Sequence, residues 1–212
     1  MTYTVKEIFY TLQGEGFHAG RAAVFLRFSG CNLWTGREED RASAVCRFCD
    51  TEFVGVGADG GRFATARVLA DAVAAQWPAR GEGGGRRFVV CTGGEPLLQL
   101  DEPALDALHE RGFEVAVETN GTQPAPRGLD WICVSPKARA PLALRAGDEL
   151  KLVFPQDGAE PERFEQLDFR HFFLQPMDGP ALEEHSRQTV EYCLAHPRWR
   201  LSVQTHKALG IR

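Results

Sequence analysis

Seven short apolar runs, each leading into small or hydrogen-bonding residues, set the narrowest limit on how this chain can fold. They are AAVFLRF (22–28), RFVVC (87–91), FEVAVE (113–118), DWICVS (130–135), ELKLVF (149–154), HFFLQ (171–175) and RLSVQ (200–204). Branched and aromatic residues dominate them, and Gly, Pro or Asp bounds each one, which is the pattern of β-strands. Helical patterns interleave with them. TARVLADAVAAQW (65–77) sets Val68, Leu69, Ala72, Val73 and Trp77 on one face and is ended by Pro78. DEPALDALHERG opens on an Asp101 cap, carries Pro103 early and stops at Gly112. PALEEHSRQTVEYCLAH (180–196) runs up to Pro197. Strands alternating with helices imply right-handed βαβ units and a mostly parallel sheet. Three helices are too few for a complete eight-fold barrel. The expected fold is therefore α/β, a partial, open barrel in one domain of 212 residues, with an insertion at 32–45. The loops 32–45 and 55–62 and the stretch 79–87 read as exposed and mobile.

In such sheets chemistry gathers beyond the carboxyl ends of the strands. Here those ends read SGCN, TGGEP, ETNG, SPK, QPMDG and QTHK. Any one of them alone is an ordinary turn. Six at corresponding places read as one cup-shaped site. TGGEP is the sharpest, because two adjacent glycines let the backbone approach a ligand closely. Pro96 also holds Glu95 extended. The net charge of -5, with no long basic run, gives no phosphate-backbone footprint, so no direct nucleic-acid partner is expected. No apolar run approaches the length of a membrane span, and Lys6 and Glu7 interrupt any signal-peptide core, so the expected location is cytoplasmic.

Six cysteines in a cytosolic chain are not read as a disulfide framework. Cys91 and Cys133 lie in apolar strand runs and Cys193 on a helix, so these three read as small buried hydrophobes. Cys31, Cys46 and Cys49 remain, spaced C-x14-C-x2-C. Three readings compete for them. A structural zinc site wants a fourth Cys or His, and His18 is the nearest candidate. Chemically idle cysteines are a second reading. An iron–sulfur cluster with three thiolates, leaving one iron open, is the third.

Three clustered cysteines after the first strand, GGEP after the second and polar strand ends thereafter resemble the radical S-adenosylmethionine superfamily. Its usual spacing is C-x3-C-x2-C with an aromatic residue before the last Cys. This chain keeps CRFC, with Phe48 in the aromatic place, and replaces the three-residue gap by fourteen. The N-terminal EIFYTLQGEG (7–16) and GRAAVFLRFSGCNLW, with CDT at 49–51, TGGEP, ETNG, SPK, QPMDG and QTHKALGIR, resemble the 7-carboxy-7-deazaguanine synthase family across essentially the whole chain. Enlarged cluster loops occur in that family.

The resemblance implies an open barrel of the radical S-adenosylmethionine type, a lyase activity and a set of site residues. Cys31, Cys46 and Cys49 would ligate a 4Fe–4S cluster. Gly94 and Glu95 would hold the amino end of S-adenosylmethionine, a carboxylate being the natural partner of an ammonium. Ser135, Pro136 and Lys137, with Gln175, Pro176, Met177 and Asp178, would line the cofactor. Phe48, Cys49 and Asp50 would face the adenine, and Glu118 and Asn120 the ribose. The implied substrate is 6-carboxy-5,6,7,8-tetrahydropterin. Leu12, Gln13, Gly14 and Glu15 would read its pterin edge, Arg27 its carboxylate, and Thr92 would hydrogen-bond it. His206 and Arg212 would close the pocket, and Thr51 would join a Mg2+ site that includes substrate oxygens. The implied reaction is hydrogen abstraction, ring contraction and loss of ammonia, giving 7-carboxy-7-deazaguanine for the queuosine pathway. Implied partners are an electron donor such as flavodoxin or ferredoxin and a second copy in a homodimer. Two alternatives stand beside this reading: an activating enzyme that places a radical on a protein partner, and a zinc-stabilised binding module.

Overall fold

The computed structural model describes residues 2–78 and 86–212. Nine strands form one sheet: β1 (Tyr3–Leu12), β2 (Ala22–Phe28), β3 (Gly61–Phe63), β4 (Arg87–Gly93), β5 (Phe113–Thr119), β6 (Trp131–Val134), β7 (Ala146–Phe154), β8 (Asp168–Pro176) and β9 (Trp199–Leu201). Their order is β3-β1-β2-β4-β5-β6-β7-β8-β9. All pairs from β2 to β9 are parallel, and β1 pairs antiparallel with both β2 and β3. The sheet is open, with β3 and β9 as its edges. The helices are α1 (Ala66–Gln76), α2 (Glu102–Glu110), α3 (Leu182–Ala195) and α4 (Thr205–Leu209). None of them is long and apolar enough to cross a membrane.

The expected Asp101 cap is in place, and Thr65 supplies a further one. Thr65 accepts from the Val68 amide at the start of α1, and Asp101 accepts from the Ala104 amide at the start of α2. Asp101 also takes the Tyr3 hydroxyl at 2.6 Å, which ties α2 to the first strand. The α1 face holds as expected at Leu69, Ala72, Val73 and Trp77, which are buried in or packed against the core together with Ala70, whereas Val68 is 47% exposed.

The two faces of the sheet have different chemistry. Val24, Leu26, Val89, Cys91, Val115 and Val117 pack with Leu69 and Val73 of α1 and Leu105 and Leu108 of α2. Further along, Leu150, Leu152, Phe172 and Leu174 pack against Tyr192 and Cys193 of α3. Each fully buried Leu or Phe stabilises by roughly 1.5–3 kcal/mol, so the helix-covered face supplies most of the packing energy. On the opposite, inner face, Ala23, Phe88, Val90 and Ala116, with Phe25 and Trp131, fill the N-terminal half of the sheet. The C-terminal half of that face carries Arg27, Thr92, Glu118, Lys151 and Gln175 instead.

Several expectations need correction. The sequence reading did not anticipate β1, β3 or α4. The stretch 55–62 contributes to β3, and its backbone bonds to β1 through Gly57 N to Lys6 O and Ile8 N to Asp59 O, both 2.8 Å. The loop 32–45 is not uniformly exposed, since Leu33 and Trp34 are each 8% exposed. Of the stretch 79–87, residues 79–85 lie outside the described residues, and Arg87 begins β4. Cys91 and Cys133 are buried, as expected of small hydrophobes, and Cys193 is half-buried.

Candidate active site

A cavity of about 400 Å3 opens at the carboxyl ends of the parallel strands. Its lining includes Cys31, Cys46, Phe48, Cys49, Asp50, Thr51, Gly94, Asn120, Ser135, Lys137, Gln175, Pro176 and Asp178 from the expected cofactor set. It also includes Leu12, Gln13, Gly14, Glu15, Arg27, Thr92, His206 and Arg212 from the expected substrate set. The parallel topology explains the convergence, because every strand end points into the same volume.

The three thiols lie at one end of the cavity. A hydrogen bond with Cys46 draws the Cys49 thiol down to about 6, and the same bond, with burial, pushes Cys46 upward. Burial also raises Cys31. A thiolate is the form that binds metal. Among the described residues no three His, Cys, Asp or Glu side chains converge on a single ion. A multi-iron cluster does not require that convergence, because each thiolate binds its own iron. Gly94 stands close by, where an added Cβ would lie 2.8 Å from Cys31 Cβ and 2.1 Å from the Gly30 carbonyl oxygen. The donor set and this close backbone approach fit a cluster with an open position. His18, the candidate fourth zinc ligand, lies instead between Trp131 and Phe88 on the N-terminal half of the inner face.

The insertion is built to return the chain to the CRFC segment. A short 3-10 helix, Glu38–Ser43, presents Arg41. Its guanidinium lies 4.1 Å over the Trp34 ring, pairs with Glu38, and donates to the Arg47 and Cys49 carbonyls at 2.9 and 3.0 Å. Asn32 then joins this loop to the β5 end, accepting from Asn120 at 3.0 Å and donating to Thr122 at 2.7 Å.

Glu95 differs from expectation. Its side chain is fully buried and is not part of the cavity lining. One carboxylate oxygen accepts from Thr119 Oγ1 (2.7 Å) and the Leu97 amide (3.0 Å), and the other from the Asn120 amide (2.8 Å). Burial raises its pKa despite these donors. Glu95 thus locks the GGEP turn to the ETNG turn, and Gly93 and Gly94 are what reach the cavity. Glu95→Gln would place an NH2 group against these donors. The expected cost is about 1–3 kcal/mol, seen as a lower unfolding midpoint together with weaker S-adenosylmethionine binding by calorimetry. Pro136 and Met177 also lie outside the lining; the Met177 carbonyl accepts from His185 and so anchors α3.

A buried charged floor closes the other end. Lys151 Nζ lies 2.6 Å from Glu15 Oε2 and 3.3 Å from Glu118 Oε1, with only 5% of its side chain exposed. Gln13 Nε2 donates to Glu118 Oε1 at 2.8 Å, and Gln204 Nε2 to Glu15 Oε1 at 3.0 Å. Burial alone would raise the Glu15 carboxyl; Lys151 beside it holds it low. Burial opposes the charge on Lys151, but Glu118 and Glu15 hold its pKa well above the ordinary value. Glu118, expected at the ribose, lines the cavity and pairs with this group.

The chain end braces the rim. Thr205 donates its amide and its hydroxyl to the Gly14 carbonyl at 3.0 and 2.9 Å. An added Cβ at Gly14 would lie 2.3 Å from His206 Nδ1, so glycine lets α4 dock there. Lys207 bridges Asp50 and Asp178 at 2.5 and 2.6 Å. Arg27 is not unpaired: its Nε donates to Glu7 Oε1 at 2.7 Å, and Arg212 holds the other Glu7 oxygen at 2.7 Å. Among the described residues, Nη1 and Nη2 of Arg27 meet no acceptor, which leaves the end of the guanidinium available to a carboxylate. Lys151 was not singled out from the sequence, and Gln204 and Lys207 entered only within the QTHK strand end. The first had a signal, since Glu149, Lys151 and Val153 share one face of a strand whose other face is Leu150 and Leu152.

No family model matches the chain. The curated comparison finds 7-carboxy-7-deazaguanine synthase of Caulobacter vibrioides, 67% identical over 212 residues and covering all of both chains. It also finds 7-carboxy-7-deazaguanine synthase of Burkholderia multivorans, 60% identical over 212 residues with the same full coverage. Among solved structures, the crystal structure of QueE from Escherichia coli superimposes with a TM-score of 0.69 at 27% identity, covering 96% of this chain and 94% of that one.

Proposed function

The chain belongs to the 7-carboxy-7-deazaguanine synthase family, and from that premise we infer how its cavity carries out radical S-adenosylmethionine chemistry on a pterin. It converts 6-carboxy-5,6,7,8-tetrahydropterin to 7-carboxy-7-deazaguanine and acts as a lyase. The observation that carries the residue assignment is the co-location, in one 400 Å3 cavity, of three thiols at one end and the Gln13–Glu118–Lys151–Glu15 floor at the other.

Cys31, Cys46 and Cys49 would hold the 4Fe–4S cluster. Bound together, cluster and S-adenosylmethionine supply one-electron, hydrogen-abstracting chemistry. The protein's own part is to place and shield. The Gly93–Gly94 backbone offers close approach for the amino end of the methionine, and Ser135 and Lys137 line the next stretch of wall. Lys137 Nζ is itself held at 2.7 Å by Ser135 Oγ. Gln13 and Glu15, with Glu118 and Lys151, present alternating donors and acceptors to the pterin edge. The free end of Arg27 faces the substrate carboxylate. Thr51 lines the cavity between Asp50 and Glu52, which supports a Mg2+ ion held by Thr51 and substrate oxygens. The family supports a flavodoxin or ferredoxin as electron donor and a homodimeric assembly. A zinc-stabilised module would need ligands gathered on one ion, which the described residues do not provide.

The test is anaerobic. Protein reconstituted with iron and sulfide, then given a reductant, S-adenosylmethionine and carboxytetrahydropterin, is expected to release 7-carboxy-7-deazaguanine and ammonia. A cluster-loaded protein that cleaves S-adenosylmethionine but yields no deazaguanine would overturn the substrate assignment and favour the activating-enzyme alternative.

A further inference from the structure

Beneath the charged floor lies a second cavity of about 10 Å3, the size of one water molecule. Gln13, Glu15, Glu118 and Cys133 line both this cavity and the larger one, so they form the partition between the two. Glu149, His18 and the Trp131 indole, whose N–H lies toward the Glu149 carboxylate, complete the polar part of the lower wall. Among the described residues, two buried side-chain atoms have no hydrogen-bond partner, Glu149 Oε1 and His18 Nε2, and both belong to residues of this wall. Leaving such atoms unpaired costs more than a hydrogen bond gains.

The remaining atoms of both groups are already committed. Glu149 is 3% exposed, and its Oε2 accepts from the Phe17 amide at 3.2 Å. His18 Nδ1 faces Arg21 Nη1 at 3.5 Å. A guanidinium only donates, so Nδ1 is the acceptor and the ring hydrogen sits on Nε2. One wall thus offers a donor and the other an acceptor. Water accepts and donates at once, and it suits this pair. The backbone passes tightly overhead: an added Cβ at Gly16 would lie 1.9 Å from Glu149 Oε1, so the second glycine of QGEG is what admits the Glu149 side chain.

We propose that this cavity is a binding site for a single water bridging His18 Nε2 and Glu149 Oε1, and that the bridged pair positions Lys151 from below the substrate floor. Glu149 stands two residues before Lys151 on the same strand face. A Glu149 side chain free to swing would compete with Glu15 and Glu118 for the one ammonium, and the pterin-reading pair would lose its registration. The water site rests on geometry alone; its role under the substrate rests on the pterin reading above.

A crystal structure of the cluster-loaded wild-type protein, refined with ordered solvent, is expected to show one peak within about 2.6–3.2 Å of both atoms. A blank cavity, or direct contact between the two side chains, would overturn the site. That result does not depend on which substrate the enzyme takes. Glu149→Leu, which removes the acceptor and fills the cavity, is expected to raise KM for carboxytetrahydropterin about tenfold with kcat within about twofold; Glu149→Gln, which keeps both a donor and an acceptor, should keep KM within about threefold of wild type. Equal KM values for wild type and Glu149→Leu would overturn the positioning role even if the water is seen. His18→Phe removes the other anchor without touching β7. It is expected to lose the solvent peak and to raise KM in the same direction, so the role stays testable if the Leu variant fails to fold.

Discussion

Replacing Lys151 with methionine is expected to destabilise the fold by about 3–5 kcal/mol, because it strands two carboxylates in a buried site. At about 2–4 °C per kcal/mol for a chain of this size, the melting temperature should fall by roughly 6–20 °C. The ammonium lies 2.6 Å from Glu15 and 3.3 Å from Glu118, and their side chains are only 15% and 23% exposed. Substrate affinity should be lost with it, since Glu15 and Gln13 are held by the same contacts. The triple variant Lys151→Met with Glu15→Gln and Glu118→Gln is expected to recover much of the stability and none of the activity. The pH dependence follows in sign. Glu15 has a lowered folded pKa, so its contribution is present above the ordinary glutamate value and is lost as pH falls through the folded one. Lys151 is raised, so its contribution is complete below the ordinary lysine value. The floor is thus intact through neutral pH and loosens in acid, as Glu15 protonates, and in strong alkali, as Lys151 loses its charge. A Lys151→Met protein that melts within about 2 °C of wild type would show that the floor is not charged as described.

Alanine at Cys31, Cys46 or Cys49 should each abolish both the cluster and product formation, measured by iron and sulfide content, visible absorbance and deazaguanine release. Alanine at Cys91, Cys133 or Cys193 should leave iron content unchanged. The contrast has a structural reason. Cys91 is wholly buried in the helix-side core, and Cys193 packs on the cluster around Leu150 and Trp199. Cys133 is 3% exposed and lines the cavity among the charged groups of the floor, beside Lys151, Glu118 and Glu15. Truncating a buried methylene-sized group costs on the order of 1 kcal/mol of stability and no metal ligand. Full iron content in the Cys46 variant would sink the ligand assignment, whatever the activity.

Much of this architecture was open to reading in advance, for identifiable reasons. The parallel strands announced themselves because both faces are buried and their runs are continuously apolar. The strand-end motifs identified the cavity because a parallel sheet sends all those ends to one side. What was hidden was hidden by specific physics. β1 carries Lys6 and Glu7 and slips register with β2 between Val5 and Glu7, so it lacks the alternation of a half-buried strand. β3 has three residues and α4 five, too few for any period to show. Glu95 stands in the GGEP motif that the family resemblance assigns to the cofactor, but its carboxylate turns inward to three donors. Glu118 was given to the ribose by its place at a strand end, and the deciding partner, Lys151, lies 33 residues away. Pairings of that kind depend on tertiary contact and leave no local trace.

The bracing of the rim by residues 204–207 makes the QGEG turn depend on contacts from a distant part of the sequence. Glu15 emerges early and must wait 189 positions for Gln204, and Gly14 waits 191 for Thr205. Contacts that close so long a loop carry a high entropy cost and are expected to form late in folding, after the neighbouring-strand pairs of the sheet. A refolding chain is thus expected to order β1 to β8 before Lys207 bridges Asp50 and Asp178.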